Sequence, residues 1–151
     1  EVLKYKPDGI FLTNGPGDPA ENTEIIKNLR ELLESGIPMM GICLGHQLLA
    51  LAHGFQTEKM KYGHRGANQP VKDGKTGRIY ITSQNHGYAV REDSIDTSVA
   101  EASFVNVNDG TNEGLRYKNY PVYSVQFHPE ACGGPKDTDF LFDDFLGMLK
   151  R

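Results

Sequence analysis

The spacing of apolar positions changes several times along the chain, and each change marks an element. Gly9-Ile10-Phe11-Leu12-Thr13 is a short apolar run cut off by Asn14-Gly15-Pro16-Gly17-Asp18-Pro19, which predicts a buried strand entering a tight loop. Ile25, Ile26, Leu29, Leu32 and Leu33 then recur at helical spacing behind Asn22 or Thr23, either of which can cap, and Gly36 stands where a left-handed C-terminal residue belongs. Pro38-Met39-Met40-Gly41-Ile42 predicts a second buried strand, and His46 to His53 a Leu/Ala-rich helix that stops at Gly54. Beyond it the pattern shifts. Val71-Lys72 and Arg78 to Ile81 flank Asp73-Gly74, while Ser98 to Asn106, Glu113 to Tyr117 and Pro121 to Phe127 are separated by turn signals at Asp109-Gly110 and Lys118-Asn119. His64 and His86 fall in Gly-containing stretches that read as loops. Leu141, Phe142, Phe145, Leu146 and Leu149 put an apolar stripe on a closing helix that begins near Asp137 or Thr138. The sum is an α/β fold with parallel strands first and antiparallel strands later.

Composition narrows the possibilities. A chain of 151 residues, 38% apolar, has enough sequence for one core and too little for two, so residues 1–151 are expected to form one domain. The net charge of −4 is spread without a basic run, which argues against nucleic acid as a partner. The longest nearly apolar stretch, Ile37 to Leu44, is interrupted by Pro38 and Gly41 and falls far short of the roughly 18 residues a membrane span needs. Two cysteines, Cys43 and Cys132, do not make a disulfide scaffold, so the expected setting is the reducing cytoplasm.

The candidate chemistry centres on Gly41-Ile42-Cys43-Leu44-Gly45, where an apolar strand meets a helix. This is the form of a nucleophile elbow with Cys in place of Ser. A nucleophile on so sharp a turn has a strained backbone, and side chains two positions either side would collide, so both positions favour Gly. The helix N-terminus favours a thiolate at Cys43, and the Leu44 N–H is placed as an oxyanion donor. A thiolate needs a proton shuttle. In Phe127-His128-Pro129-Glu130, Pro129 biases His128 toward extended backbone, so Glu130 projects from the same side and can orient the imidazole. The spacings Cys43-x-x-His46 and His128-x-x-x-Cys132 resemble metal ligands. They are set aside, because Cys43 and His46 belong to the elbow and Cys132 to a turn, and no metal site is expected. His46, His53, His64 and His86 read as structural.

Cys43-Leu44-Gly45-His46-Gln47 with His128-Pro129-Glu130 resembles the signature of the class I, triad-type glutamine amidotransferases. Thr13 to Pro19, Gly63 to Val71 and Ser83 to Val90 further resemble the carbamoyl-phosphate-synthase branch of that class, the likeness running over essentially the whole chain. The resemblance implies a three-layer, flavodoxin-like α/β fold with a mostly parallel mixed sheet and antiparallel additions. It implies a catalytic triad of Cys43, His128 and Glu130, an oxyanion site lined by Gly15, Gly17 and Leu44, and Gln47, Asn85, Gly87 and Tyr88 holding the amino-acid end of L-glutamine. The ammonia released would pass to a large synthetase chain that uses ATP and bicarbonate, so no cofactor belongs to this chain. The alternatives are another amidotransferase of the class, serving anthranilate, GMP or CTP synthesis, and a non-catalytic scaffold. Members of the family carry a further N-terminal domain, then one more strand and helix ahead of the stretch matching Glu1. By this likeness, residues 1–151 are the C-terminal part of a longer architecture, lacking the first strand–helix unit of the sheet, and on their own are expected to be less stable or to associate.

Overall fold

The computed structural model describes residues 2–13, 15, 17–129 and 140–149. Among these residues seven strands form one mixed sheet: β1 (Ile10–Leu12), β2 (Met39–Ile42), β3 (Thr57–Asp73), β4 (Ile79–Val90), β5 (Ala100–Asn106), β6 (Asn112–Tyr117) and β7 (Val122–Val125). Their order is β1-β2-β7-β6-β5-β3-β4. β1, β2 and β7 run parallel, with Leu12 opposite Gly41 and Gly41 opposite Ser124. The pairs from β7 through β4 are antiparallel. Connections made by helices near the N-terminus permit parallel pairing, whereas short turns later in the chain impose the antiparallel kind.

Helices cover both faces. Ile26, Leu29 and Leu33 on α1 (Thr23–Leu33) join Leu48, Leu49 and Ala52 of α2 (Leu44–Ala52) in one core with Met39, Leu115 and Val122 of the sheet. Met40, Ile42 and Val125 point the other way, to Leu141 and Phe145 of α3 (Phe140–Leu149). The alternation of Met39 and Met40 between two cores is the period of two expected of a strand buried on both faces. Gly36 takes the left-handed conformation foreseen for it, with φ 74°.

The balance of the sheet differs from the mostly parallel one that the resemblance implies, two parallel pairs standing beside four antiparallel ones, and three elements differ from the sequence expectation. α2 starts at Leu44 rather than His46, which makes Cys43 its N-cap. β3 and β4 are 17 and 12 residues long, far longer than the segments 71–72 and 78–81. The stretches containing His64 and His86 are therefore strands, the two residues lying opposite each other across the ladder. The reason lies in the polarity of the faces. Along β4 the buried positions Thr82, Gln84 and His86 are polar, while Ile79 and Ile81 are exposed. A search for apolar-in, polar-out alternation misses such a strand. Register shifts between Lys59 and His64 and between Gly66 and Gln69 break the period further.

Candidate active site

The parallel strands point their carboxyl ends toward one edge of the sheet, where α/β folds gather their sites. Cys43 directly follows β2 and precedes α2, with φ 56° and ψ −106°. Among the described residues Cys43 and Lys6 alone combine a positive φ with a side chain, so the backbone at the sulfur is strained. Neighbouring packing holds it there. The Cys43 N–H donates to the Val125 carbonyl at 2.9 Å, and its carbonyl accepts from the Gln47 N–H at 3.2 Å. A β carbon on Gly41 would lie 2.8 Å from the Gly45 carbonyl, and one on Gly45 would overlap the Leu12 backbone. Both glycines are thus required for the elbow to pack against β1 and α2.

A cleft of about 680 Å³ opens in front of Cys43. Of the residues singled out in the sequence it collects Gly15, Gly17, Cys43, Gln47, Asn85, Gly87 and Tyr88. Leu44 is not on the wall but lies immediately behind it: a β carbon on Gly15 would come within 2.8 Å of Leu44 Cδ2. As the first residue of α2, Leu44 has a backbone N–H with no partner inside the helix. His128 stands three positions after Val125, half-buried, and its N–H donates to the Ser83 carbonyl at 2.9 Å. It therefore sits at the same edge, tied to β4. Glu130 and Cys132 lie outside the described residues.

Several side chains with no sequence signal complete the site. Gln126 reaches the Cys43 sulfur with Nε2 at 3.6 Å, and its Oε1 accepts from Gln47 Nε2 at 2.9 Å. Gln47 Nε2 also donates to the Tyr88 carbonyl at 2.7 Å. One buried amide pair thereby links the elbow to the Asn85–Tyr88 stretch. Lys59, Lys61 and Arg65 from β3 line the opposite side with Tyr62 and His86. These cations favour a ligand that carries a carboxylate. His86, read in the sequence as a structural loop residue, is thus part of the cleft wall. Burial, with smaller contributions from His64, His128 and Arg65, lowers its pKa to about 4 against the opposing pull of the Tyr88 carbonyl. His46 and His53 keep structural roles. His46 is buried with Nδ1 2.7 Å from Ser124 Oγ, and His53 closes α2 with Nδ1 2.7 Å from the Leu49 carbonyl.

The sequence pattern of the class-I glutamine amidotransferases matches residues 1–148. Carbamoyl phosphate synthase small chains from Methanocaldococcus jannaschii and Oceanobacillus iheyensis are 58% and 57% identical over 151 and 149 residues. A Bacillus cereus small chain is 54% identical over 151 residues. These alignments take in 99–100% of this chain but only 40–42% of the relatives, so the chain spans about two fifths of their length. Among solved structures, a GMP synthase protein of Thermoplasma acidophilum superposes with a TM-score of 0.79 at 23% identity, over 94% of this chain and 72% of that one. A glutamine amidotransferase of Thermotoga maritima gives 0.66 at 20% identity, over 93% and 64%. These two likenesses concern the fold, which they share. With the pattern matched almost from end to end, the chain belongs to the class-I glutamine amidotransferase family.

Proposed function

We propose that this chain is the glutaminase domain of a carbamoyl phosphate synthase small chain. The observation that carries the reading is the strained Cys43, held at the start of α2 and opening onto a cleft large enough for an amino acid. In this mechanism the Cys43 sulfur attacks the side-chain amide carbon of L-glutamine. The oxyanion is held by backbone N–H groups at Leu44 and at the Gly15–Gly17 turn. His128, oriented by Glu130, delivers a proton to the departing nitrogen. Ammonia leaves, a glutamyl thioester remains, and water activated by His128 hydrolyses it to glutamate. Gln47, Asn85, Gly87 and Tyr88 hold the amino-acid end, with Arg65 and the two lysines supplying positive potential for its carboxylate. The ammonia passes to a large synthetase chain, which binds the ATP, and the carbamoyl phosphate formed there serves arginine and pyrimidine synthesis in the cytoplasm. The names of the small-chain relatives and the motifs around Gly63 and Asn85 support this choice of partner.

The test is alkylation by a glutamine analogue bearing an electrophile. Cys43 is expected to be labelled selectively and protected by added glutamine. Labelling indifferent to glutamine rejects the glutaminase reading, while loss of co-purification with a large ATP-dependent chain rejects the partner alone.

A further inference from the structure

At the cleft wall, to which His86 itself belongs, β3, β4 and β6 bury a polar cluster that the proposed hydrolysis does not employ. His64 Nδ1 and His86 Nε2 are 3.2 Å apart. Glu113 Oε1 is 3.9 Å from the first and 4.0 Å from the second, and all three residues are buried. Gln84 Oε1 lies 3.1 Å and 2.8 Å from the same two nitrogens.

The hydrogen-bond partners fix where the protons are. His86 Nδ1 is 2.7 Å from the Tyr88 carbonyl. A carbonyl only accepts, so Nδ1 carries the proton and Nε2 the lone pair. His64 Nε2 is 2.7 Å from an Asp109 carboxylate oxygen, which leaves the lone pair of the neutral ring on Nδ1. Gln84 Nε2 donates to Thr82 Oγ1 and to Glu113 Oε2. Because the Thr82 hydroxyl is committed to the Gln69 carbonyl at 2.7 Å, the amide is held with Oε1 toward the imidazoles. Glu113 Oε2 also accepts from Asn106 Nδ2 at 3.3 Å, while Oε1 has no hydrogen-bond partner among the described residues.

Three lone-pair atoms therefore surround one point, and Gln84 Oε1 lies beside two of them. A single proton can bridge the two nitrogens, yet it leaves Glu113 Oε1 nearly 4 Å away and unsatisfied. A cation among them serves all three. The point equidistant from His64 Nδ1, His86 Nε2 and Glu113 Oε1 lies about 2.2 Å from each, against zinc–nitrogen and zinc–oxygen bonds of roughly 2.0–2.2 Å. The carboxylate and the carbonyl behind the two rings are the usual partners that orient metal-bound histidines. Two imidazoles with oxygen donors suit a divalent ion of borderline softness.

We propose that His64, His86 and Glu113, with Gln84 Oε1 as a fourth donor, form a closed site for a divalent transition metal, zinc by preference. The site joins β3, β4 and β6 and so fixes His86 between the two cleft residues Asn85 and Gly87. Its role is structural, since protein atoms fill four positions. It stands independently of the glutaminase reading.

The full-length protein, with its partner chain where it has one, is purified without chelators and its metal content measured by mass spectrometry. The stripped protein is then titrated with cobalt. About one zinc per chain is expected, and cobalt in its place should give tetrahedral visible bands without sulfur charge-transfer absorption. Glu113→Gln, nearly isosteric, should weaken cobalt binding at least tenfold, and Cys43→Ser should leave the stoichiometry unchanged. Less than about a tenth of an equivalent of zinc, with no cobalt uptake at micromolar concentration, overturns the proposal in favour of a shared proton. Sulfur charge-transfer bands, or metal lost in Cys43→Ser, overturn it by placing the ion on the thiol.

Discussion

At Cys43 the requirements of chemistry and of packing coincide in one residue. Positive φ at a side-chain-bearing position costs of order 1–3 kcal/mol, and the cost is sustained because Gly41 and Gly45 let β1, β2 and α2 close around it. This is why the elbow was legible in the sequence: two glycines at fixed offsets have a steric cause that needs no long-range information. Gln126 was not legible, because nothing in a glutamine just past a strand announces a sulfur 83 positions away. Two outcomes follow. Cys43→Ser should reduce glutamine hydrolysis to near background in a steady-state ammonia assay while leaving the unfolding midpoint within error, because a hydroxyl at neutral pH supplies almost no anion. Gly45→Ala should destabilise by roughly 1–3 kcal/mol, since its methyl overlaps the rigid Leu12 backbone and cannot be relieved by a side-chain rotation. Urea unfolding measures it, and an unchanged midpoint would mean that the elbow is not packed as described.

Among the elements, strands with an apolar face were recovered close to their true bounds, and the long β3–β4 pair was not. Its buried face carries Thr82, Gln84, His86 and His64 and its outer face Ile79 and Ile81, the reverse of the pattern by which strands are recognised. What pairs these strands is a set of mutually satisfied polar groups, and membership in such a set depends on partners such as Glu113, 49 positions along the chain from His64 and invisible to any spacing rule. The inversion predicts inverted mutational sensitivity. Thr82→Val, although nearly isosteric, should cost about 1–3 kcal/mol, because it strands the Gln69 carbonyl and one donor of Gln84. Ile81→Lys on the exposed face should stay within about 0.5 kcal/mol. Denaturant midpoints of the two variants settle the comparison, and a larger loss for Ile81→Lys would overturn the assignment of faces.

For the molecule as a whole, the burial of histidines couples stability to pH. Between α2 and the sheet, His46 is fully buried; its Nδ1 is bonded to Ser124 Oγ at 2.7 Å and its Nε2 has no partner among the described residues. Burial, reinforced by the neighbouring His86, lowers its pKa from 6.5 to about 3. His53, partly buried at the end of the same helix, is shifted downward too. A depressed histidine pKa means that between pH 6.5 and 3 the unfolded chain binds a proton the native chain refuses. The contribution of these histidines is therefore full above pH 6.5 and is lost as the medium becomes more acidic through that window, by up to about 1.4 kcal/mol per pH unit for each such group. His46→Asn keeps a polar partner for Ser124 but cannot be protonated. Its unfolding free energy, followed by urea titration from pH 7 to pH 4, should decline less steeply than that of the parent, the difference amounting to about one proton per molecule. Parallel profiles would mean that His46 is protonated equally in both states, and the acid sensitivity would then have to come from elsewhere in the fold.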